Sequence, residues 1–331
     1  MTHLHATEAA HEVLESELER QLAAIRAAAA EPVAGIFGPD SLMWKVNREA
    51  AIFLGAGRAL LLQLAHPWIA TAISEHSRTL SDPIGRFHRT FNVVFTMVFG
   101  SLDQALAAAR LLHCRHTAIR GVLPEALGRF RAGSAYCANE ISALRWVFAT
   151  LVDSALEAHD LVLPPVTQQD RERYYAESRS FAALFGIPDT CLPSDWQAFR
   201  HYVNSMLESD TLAAGPAARH IAGALFDGIR LPPSLFAWYR AITASMLPAN
   251  LREEFAFSYA EAERRRARRA LAWLRRIYPA LPGALRYVGP YHEARARLAG
   301  RARLGPLARL LNRIWIGQVR MTGDETPPPA S

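Results

Sequence analysis

The sequence predicts an all-α protein, on three observations. Residues that start and stop helices recur in pairs, apolar residues between them return at three- and four-residue spacing, and strand signals are poor. No Asn-Gly hairpin and no sustained period-two alternation separates the segments.

The elements follow in order. Residues up to about Ala30 read as one N-terminal helix, with Glu12, Glu15 and Glu19 at i, i+3 and i+7 on a solvated face, and Pro32 to Pro39 is a loop. Gly55-Ala56-Gly57 follows the apolar run Ala50 to Leu54 and imitates a dinucleotide-binding turn. Leu60 stands where the third glycine belongs, so the pair is read as a site of close helix packing. Asp82-Pro83 is an N-cap followed by proline at the first helical position, and Gly100 closes that helix. Ser101 to Gln104 has capping-box spacing, with Gly121 ending the helix it opens. Thr167 opens another, stopped by Gly186 and Pro188, and Ser194 to Gln197 repeats the capping-box pattern. Pro248-Ala249-Asn250 starts a long charged helix that Pro279 should end. The expected organisation is one domain: a helical extension over 1–35, a helical core over 36–250, Arg-rich helices over 251–320 packed on it, and a disordered tail over 321–331.

Half of the 331 residues are hydrophobic and 21% are charged, which excludes a disordered chain or a fibre. Lys+Arg total 37 against 31 Asp+Glu, for a net charge of +6, and Lys45 is the only lysine. Guanidinium groups fork onto carboxylates or phosphates, so their partners can be internal as readily as external. Cys114, Cys137 and Cys191 show no CxxC spacing, so neither a disulfide framework nor a thiolate zinc site is expected. The first residues lack the cationic-then-apolar pattern of a secretory signal. The most apolar run, Ala59 to Ser74, contains Gln63, His66 and Pro67 and falls short of the ~20 apolar residues of a membrane span. A soluble, cytoplasmic protein is expected.

Several motifs fail. Glu8-Ala9-Ala10-His11 is the sole ExxH, whereas a di-iron bundle needs two such pairs and two further carboxylates. HExxH, GxSxG and P-loop patterns are missing, which removes zincin, esterase and NTPase readings. The helix carrying Arg264, Arg265, Arg266, Arg268 and Arg269 is basic and amphipathic. It is read as a solvated helix balanced by Glu253, Glu254, Glu261 and Glu263, with peripheral membrane contact through 264–276 as the alternative. Without interleaved aromatics it is not a nucleic-acid surface.

The candidate chemistry lies on two successive helices. Arg86, Arg89 and Thr90 fall on one face of a helix otherwise rich in Phe, Val and Met, where a buried cation needs an anionic partner. His113 and His116 lie one turn apart on the next helix. A histidine pair beside a buried arginine pair in an apolar helical frame suits haem: the imidazole binds iron, and the arginines meet propionates or bound oxygen. Satisfied core or surface histidines would give the same pattern.

An ordered set of motifs adds to this. It runs from Leu60 to Pro67 (LLLQLAHP), through His76-Ser77, Asp82-Pro83, Gly85-Arg86, Arg89-Thr90 and Phe99-Gly100. It continues in His116 with Ile119-Arg120-Gly121, and in Trp146-Val147 with Ala149-Thr150-Leu151. This resembles the MpaB/rubber-oxygenase catalytic-domain family, which includes the latex clearing proteins, over roughly Gly38 to Met246. Gly38-Pro39-Asp40-Ser41 also fits the start of that domain. The resemblance implies a globin-like helical fold around a b-type haem, and oxidative cleavage of a carbon–carbon double bond by dioxygen. By matching position, His116 would be the proximal iron ligand, Arg86, Arg89 and Thr90 would face the distal side, and His66 would shape the pocket. His113 is the first alternative ligand. Two departures matter. Rubber-cleaving relatives carry lysine where Arg89 stands and are exported, so polymer cleavage is not expected. Phe148 also replaces a histidine that is frequent in the WVxATL motif. The expected function is a haem b-dependent oxygenase acting with O2 on a lipophilic unsaturated small molecule. Its rivals are a non-catalytic haem- or lipid-binding sensor or carrier, and a cofactor-free helical interaction protein.

Overall fold

The computed structural model describes residues 12–77, 82–227, 233–301 and 303–321. The Glu8–His11 pair and the Pro-rich end 322–331 lie outside them. The helices are α1 (Glu15–Ala28), α2 (Leu42–Asn47), α3 (Ala56–Leu64), α4 (Pro67–His76), α5 (Pro83–Phe99), α6 (Leu102–Thr117), α7 (Ile141–Val162), α8 (Gln168–Ala183), α9 (Trp196–Glu208) and α10 (Pro216–Asp227). After these come α11 (Pro233–Ser245), α12 (Ala249–Glu254), α13 (Glu261–Ile277), α14 (Gly283–Arg286), α15 (Gly289–Leu298) and α16 (Pro306–Ile316). The chain is 68% helical, as its punctuation predicts. No helix among the described residues is long and apolar enough to cross a membrane.

Several predicted starts hold at atomic detail. The Asp82 carboxylate accepts from the Gly85 N–H, Ser101 and Gln104 close a capping box, and the Thr167 hydroxyl accepts from the Asp170 N–H. Gly186, at φ +79°, stops the chain beyond α8. Gly57 is a site of close packing: a Cβ there would stand 2.7 Å from Thr243 Oγ1, and its N–H donates to the Tyr239 hydroxyl at 3.0 Å.

Four readings are corrected. The N-terminal helix starts at Glu15, so Glu12 is off its face; it pairs across a β-bridge with Glu140 and binds the Arg120 guanidinium. α6 ends at Thr117, and Gly121 lies inside a two-stranded antiparallel ribbon, β1 (Arg120–Val122) with β2 (Ala135–Cys137). Three-residue strands are too short to show a period of two. Asp195, not Ser194, caps α9, accepting from the Ala198 N–H at 2.8 Å. The long charged helix is broken into α12 and α13, with Ala256 at φ +54° between them. Phe255 and Phe257 are both buried, and residues two apart cannot point to one side of a helix, so the backbone yields. Finally, two ion networks at buried positions, described below, leave no trace in the sequence pattern.

α7 runs through the middle of the core. Its Trp146 indole donates to the Leu62 carbonyl at 2.9 Å, and the Trp44 indole donates to Val98 at the same distance, so both large rings are satisfied. Arg58 of α3 is buried against Asp153 (2.6 Å) and Ser154 (2.7 Å) of α7 and the Met246 carbonyl (3.1 Å), and Arg200 of α9 holds the other Asp153 oxygen. Glu49, also buried, accepts from the Tyr278 hydroxyl at 3.1 Å and meets Arg286 at 2.9 Å, which ties the C-terminal part of the chain to the turn after α2. Farther on, α16 lies along α5: Trp315 stacks on Phe53 at 4.0 Å, and Phe53 in turn contacts Phe87 and Phe91.

Candidate functional site

α5 and α6 pack against each other as an antiparallel hairpin around Gly100-Ser101. With a rise of about 1.5 Å per residue, Arg86 and His116 both lie roughly 21–23 Å from that turn, at its open end. Hydrogen bonds draw neighbouring elements to the same end. Arg86 Nη1 donates to Ser77 Oγ at 3.1 Å, just beyond α4, and the adjacent His76 ring nitrogen lies 3.1 Å from the Arg120 carbonyl, just beyond α6.

His116 is half-buried, and desolvation pushes its pKa down to about 4, with His113 adding to the effect and donation to Asn139 opposing it. The ring is therefore neutral near pH 7. Asn139 is itself 1% exposed, and its amide nitrogen is spent on the His113 carbonyl and Thr117 Oγ1, both at 3.2 Å. Its oxygen is left to accept from the His116 ring. Such a contact would bias the orientation of the imidazole, as second-shell partners do for metal-ligating histidines. His113, one turn earlier, has a buried Nδ1 with no partner.

The arginines separate. Arg86 is half-buried, and burial, with Arg89 nearby, pushes its pKa down to about 10, so it remains a cation held partly out of water. Arg89 is exposed and bound at 3.0 Å to Asp82, the cap of its own helix. That guanidinium and the Gly85 N–H hold the Asp82 carboxyl below its ordinary range. Thr90 is exposed as well. The expected buried arginine pair is thus corrected to one withdrawn arginine and one surface ion pair. In the first turns of α5, Gly85 to His88 are partly covered, whereas Ile84, Arg89 and Thr90 are exposed.

His66 stands at the opposite end of α4, roughly 15 Å along its axis from His76. It is 2% exposed, lies 5.2 Å from the Phe130 ring and 5.9 Å from Trp68, and its Nδ1 has no partner. Burial, and secondarily Arg129, pushes its pKa down to about 3. A histidine depressed in the folded state stabilises the fold above its unfolded pKa of about 6.5 and loses that contribution as pH falls towards 3. Stability of the wild type to urea should therefore drop between pH 6.5 and 4, and His66→Phe should flatten the slope. An unchanged slope in the variant would show that another group carries it.

Phe148 is 1% exposed and packs edge-to-face or tilted on Phe199 and Phe181, each at 6.4 Å, as an apolar core residue. Sequence reasoning missed Asn139, and passed over Ser77 without giving it a role. A buried asparagine in a loop carries no periodic or spacing signal; only the fold shows what its amide faces. Among the described residues no group of three or more His, Cys, Asp or Glu could hold a metal ion.

The helical frame and the motifs at this hairpin are those of an oxygenase catalytic domain. A family model described as "ER-bound oxygenase mpaB/B'/Rubber oxygenase, catalytic domain" matches residues 44–276, and the chain belongs to that family. Neither a curated protein nor a solved structure gives a significant match.

Proposed function

We propose that this chain is a haem b-dependent oxygenase that uses O2 to oxidise a lipophilic unsaturated small molecule, by C=C cleavage or a related reaction. The observation that carries the reading is the neutral, partly buried His116 ring with a buried asparagine as its neighbour, on the same helical hairpin as the half-buried Arg86. The residues present fit haem: the neutral His116 imidazole would serve as a ligand to its iron, and the half-buried Arg86 guanidinium would meet a propionate. When bound, haem supplies the activation of dioxygen.

The protein's own part follows from the geometry. His116 would hold the iron, and Asn139 would bias its ring towards one orientation. Arg86, bonded to Ser77 and partly out of water, would offer a cation to a haem propionate or another anionic group of the ligand. Arg89 and Thr90 lie on the exposed side of α5, with Asp82 holding Arg89.

Purified protein expressed with adequate haem supply should show a Soret band and a b-type pyridine haemochrome, and should consume oxygen with unsaturated lipids or isoprenoids. Colourless protein under those conditions would sink the reading. Bound haem without oxygen uptake across a broad alkene panel would favour a sensor or carrier of the same fold.

A further inference from the structure

α16 carries large apolar side chains on its outer side. Leu311 and Ile316 face the core, yet Leu307, Leu310 and Ile314, at i, i+3 and i+7, are 40%, 55% and 48% exposed. Val319, just past the Gly317 stop, is exposed too. Arg309 and Arg313 run at i and i+4 beside this stripe, both exposed. No carboxylate among the described residues pairs with Arg303, Arg309 or Arg313. From Ala294 to Met321 the sequence has seven arginines and neither Asp nor Glu.

α13 makes the contrast. Three of its arginines meet carboxylates, Arg265 and Arg268 through Glu261 and Arg266 through Glu263, Arg264 and Arg275 donate to backbone carbonyls, and its Ala267, Leu271 and Leu274 pack inward, with Trp273 exposed. α16 shows the reverse: an outward aliphatic stripe and uncompensated cations.

We propose that the outer face of α16 is a membrane-surface anchor that lies on anionic bilayers. An aliphatic stripe flanked by arginine fits the boundary between acyl chains and anionic headgroups, where both are satisfied at once. A second copy of this chain would bring the same uncompensated arginines face to face in a two-fold contact, and a nucleic acid would leave the aliphatic stripe in water. The helix lies outside the residues that match the family. It does not depend on the haem reading. It does place the bilayer against α5: the Ile314 carbonyl lies 3.1 Å from His88 Nε2, and Ile84, one turn before His88, is 56% exposed. A lipophilic molecule dissolved in the membrane would then arrive beside the helix that carries Arg86.

Sedimentation of the full chain with phosphatidylcholine vesicles, with and without phosphatidylglycerol, tests this. Binding should be roughly tenfold stronger or more on the anionic vesicles and should weaken with salt. Leu307→Ser/Leu310→Ser/Ile314→Ser should lose binding about tenfold or more, while circular dichroism and thermal midpoint stay near wild type because these side chains are exposed. Arg309→Gln/Arg313→Gln should erase most of the preference for anionic lipid, and Arg265→Gln/Arg268→Gln on α13 should change nothing. The proposal is overturned by wild type that does not sediment, by a triple-Ser variant that binds like wild type, or by loss confined to the α13 variant. A wild-type dimer in light scattering that the triple-Ser change makes monomeric, without vesicle binding, would assign the face to a second copy instead.

Discussion

Replacing His116 by glycine should abolish the Soret band of the purified protein and reduce bound haem at least about tenfold, with helical content unchanged. The side chain is half-buried at the end of α6 and is not part of the core that holds the helices together. Added imidazole should restore the band, because it refills the vacated ligand position without repairing anything else. Asn139→Ala should keep the band but weaken haem binding roughly 10–100-fold, the usual effect of removing a partner that orients a metal-bound histidine. His113→Ala is the control, and it should retain full haem content. The opposite pattern, loss in His113→Ala and retention in His116→Gly, would transfer the ligand role to the histidine whose buried Nδ1 has no partner. Equal retention in both would remove iron from this hairpin altogether.

Much of the fold was legible because helix ends are local chemistry. Asp82, Ser101 and Thr167 cap their helices through bonds to residues three positions on, so the signal and the structure occupy the same few residues. The misreadings have the opposite character. The long helix after Pro248 breaks at Ala256 because Phe257 has a place to go, against Phe226 at 4.9 Å, and that partner is far away in sequence. At the candidate site the two helices and the position of His116 on α6 could be read from spacing. The exposure of Arg89 and Thr90 could not, since it depends on which elements cover the first turns of α5. Asn139 was invisible for the same reason. Its role exists only because the ribbon carries the chain back from Cys137 to the end of α6, where its amide meets the His113 carbonyl.

The Arg58–Asp153 network should be the most sensitive point of the scaffold, and its mutants should rank in a specific order. Asp153 is the shared acceptor: one oxygen takes Arg58 at 2.6 Å and the other takes Arg200. Asp153→Ala leaves the Arg58 guanidinium, whose side chain is 6% exposed, with only Ser154 and the Met246 carbonyl, so a buried charge loses its counterion. Breaking a buried pair in this way costs about 3–5 kcal/mol. Arg58→Met removes the buried cation itself and fills much of its volume, while Asp153 keeps Arg200, so the cost should be clearly smaller. Arg200→Met should cost least, because that side chain is 34% exposed and Asp153 retains Arg58. Urea unfolding of the three variants checks the ranking. A loss for Arg58→Met equal to that for Asp153→Ala would show that the hydrogen bonds from the guanidinium to Ser154 and Met246, rather than charge neutralisation, hold α3 to α7 and to the end of α11.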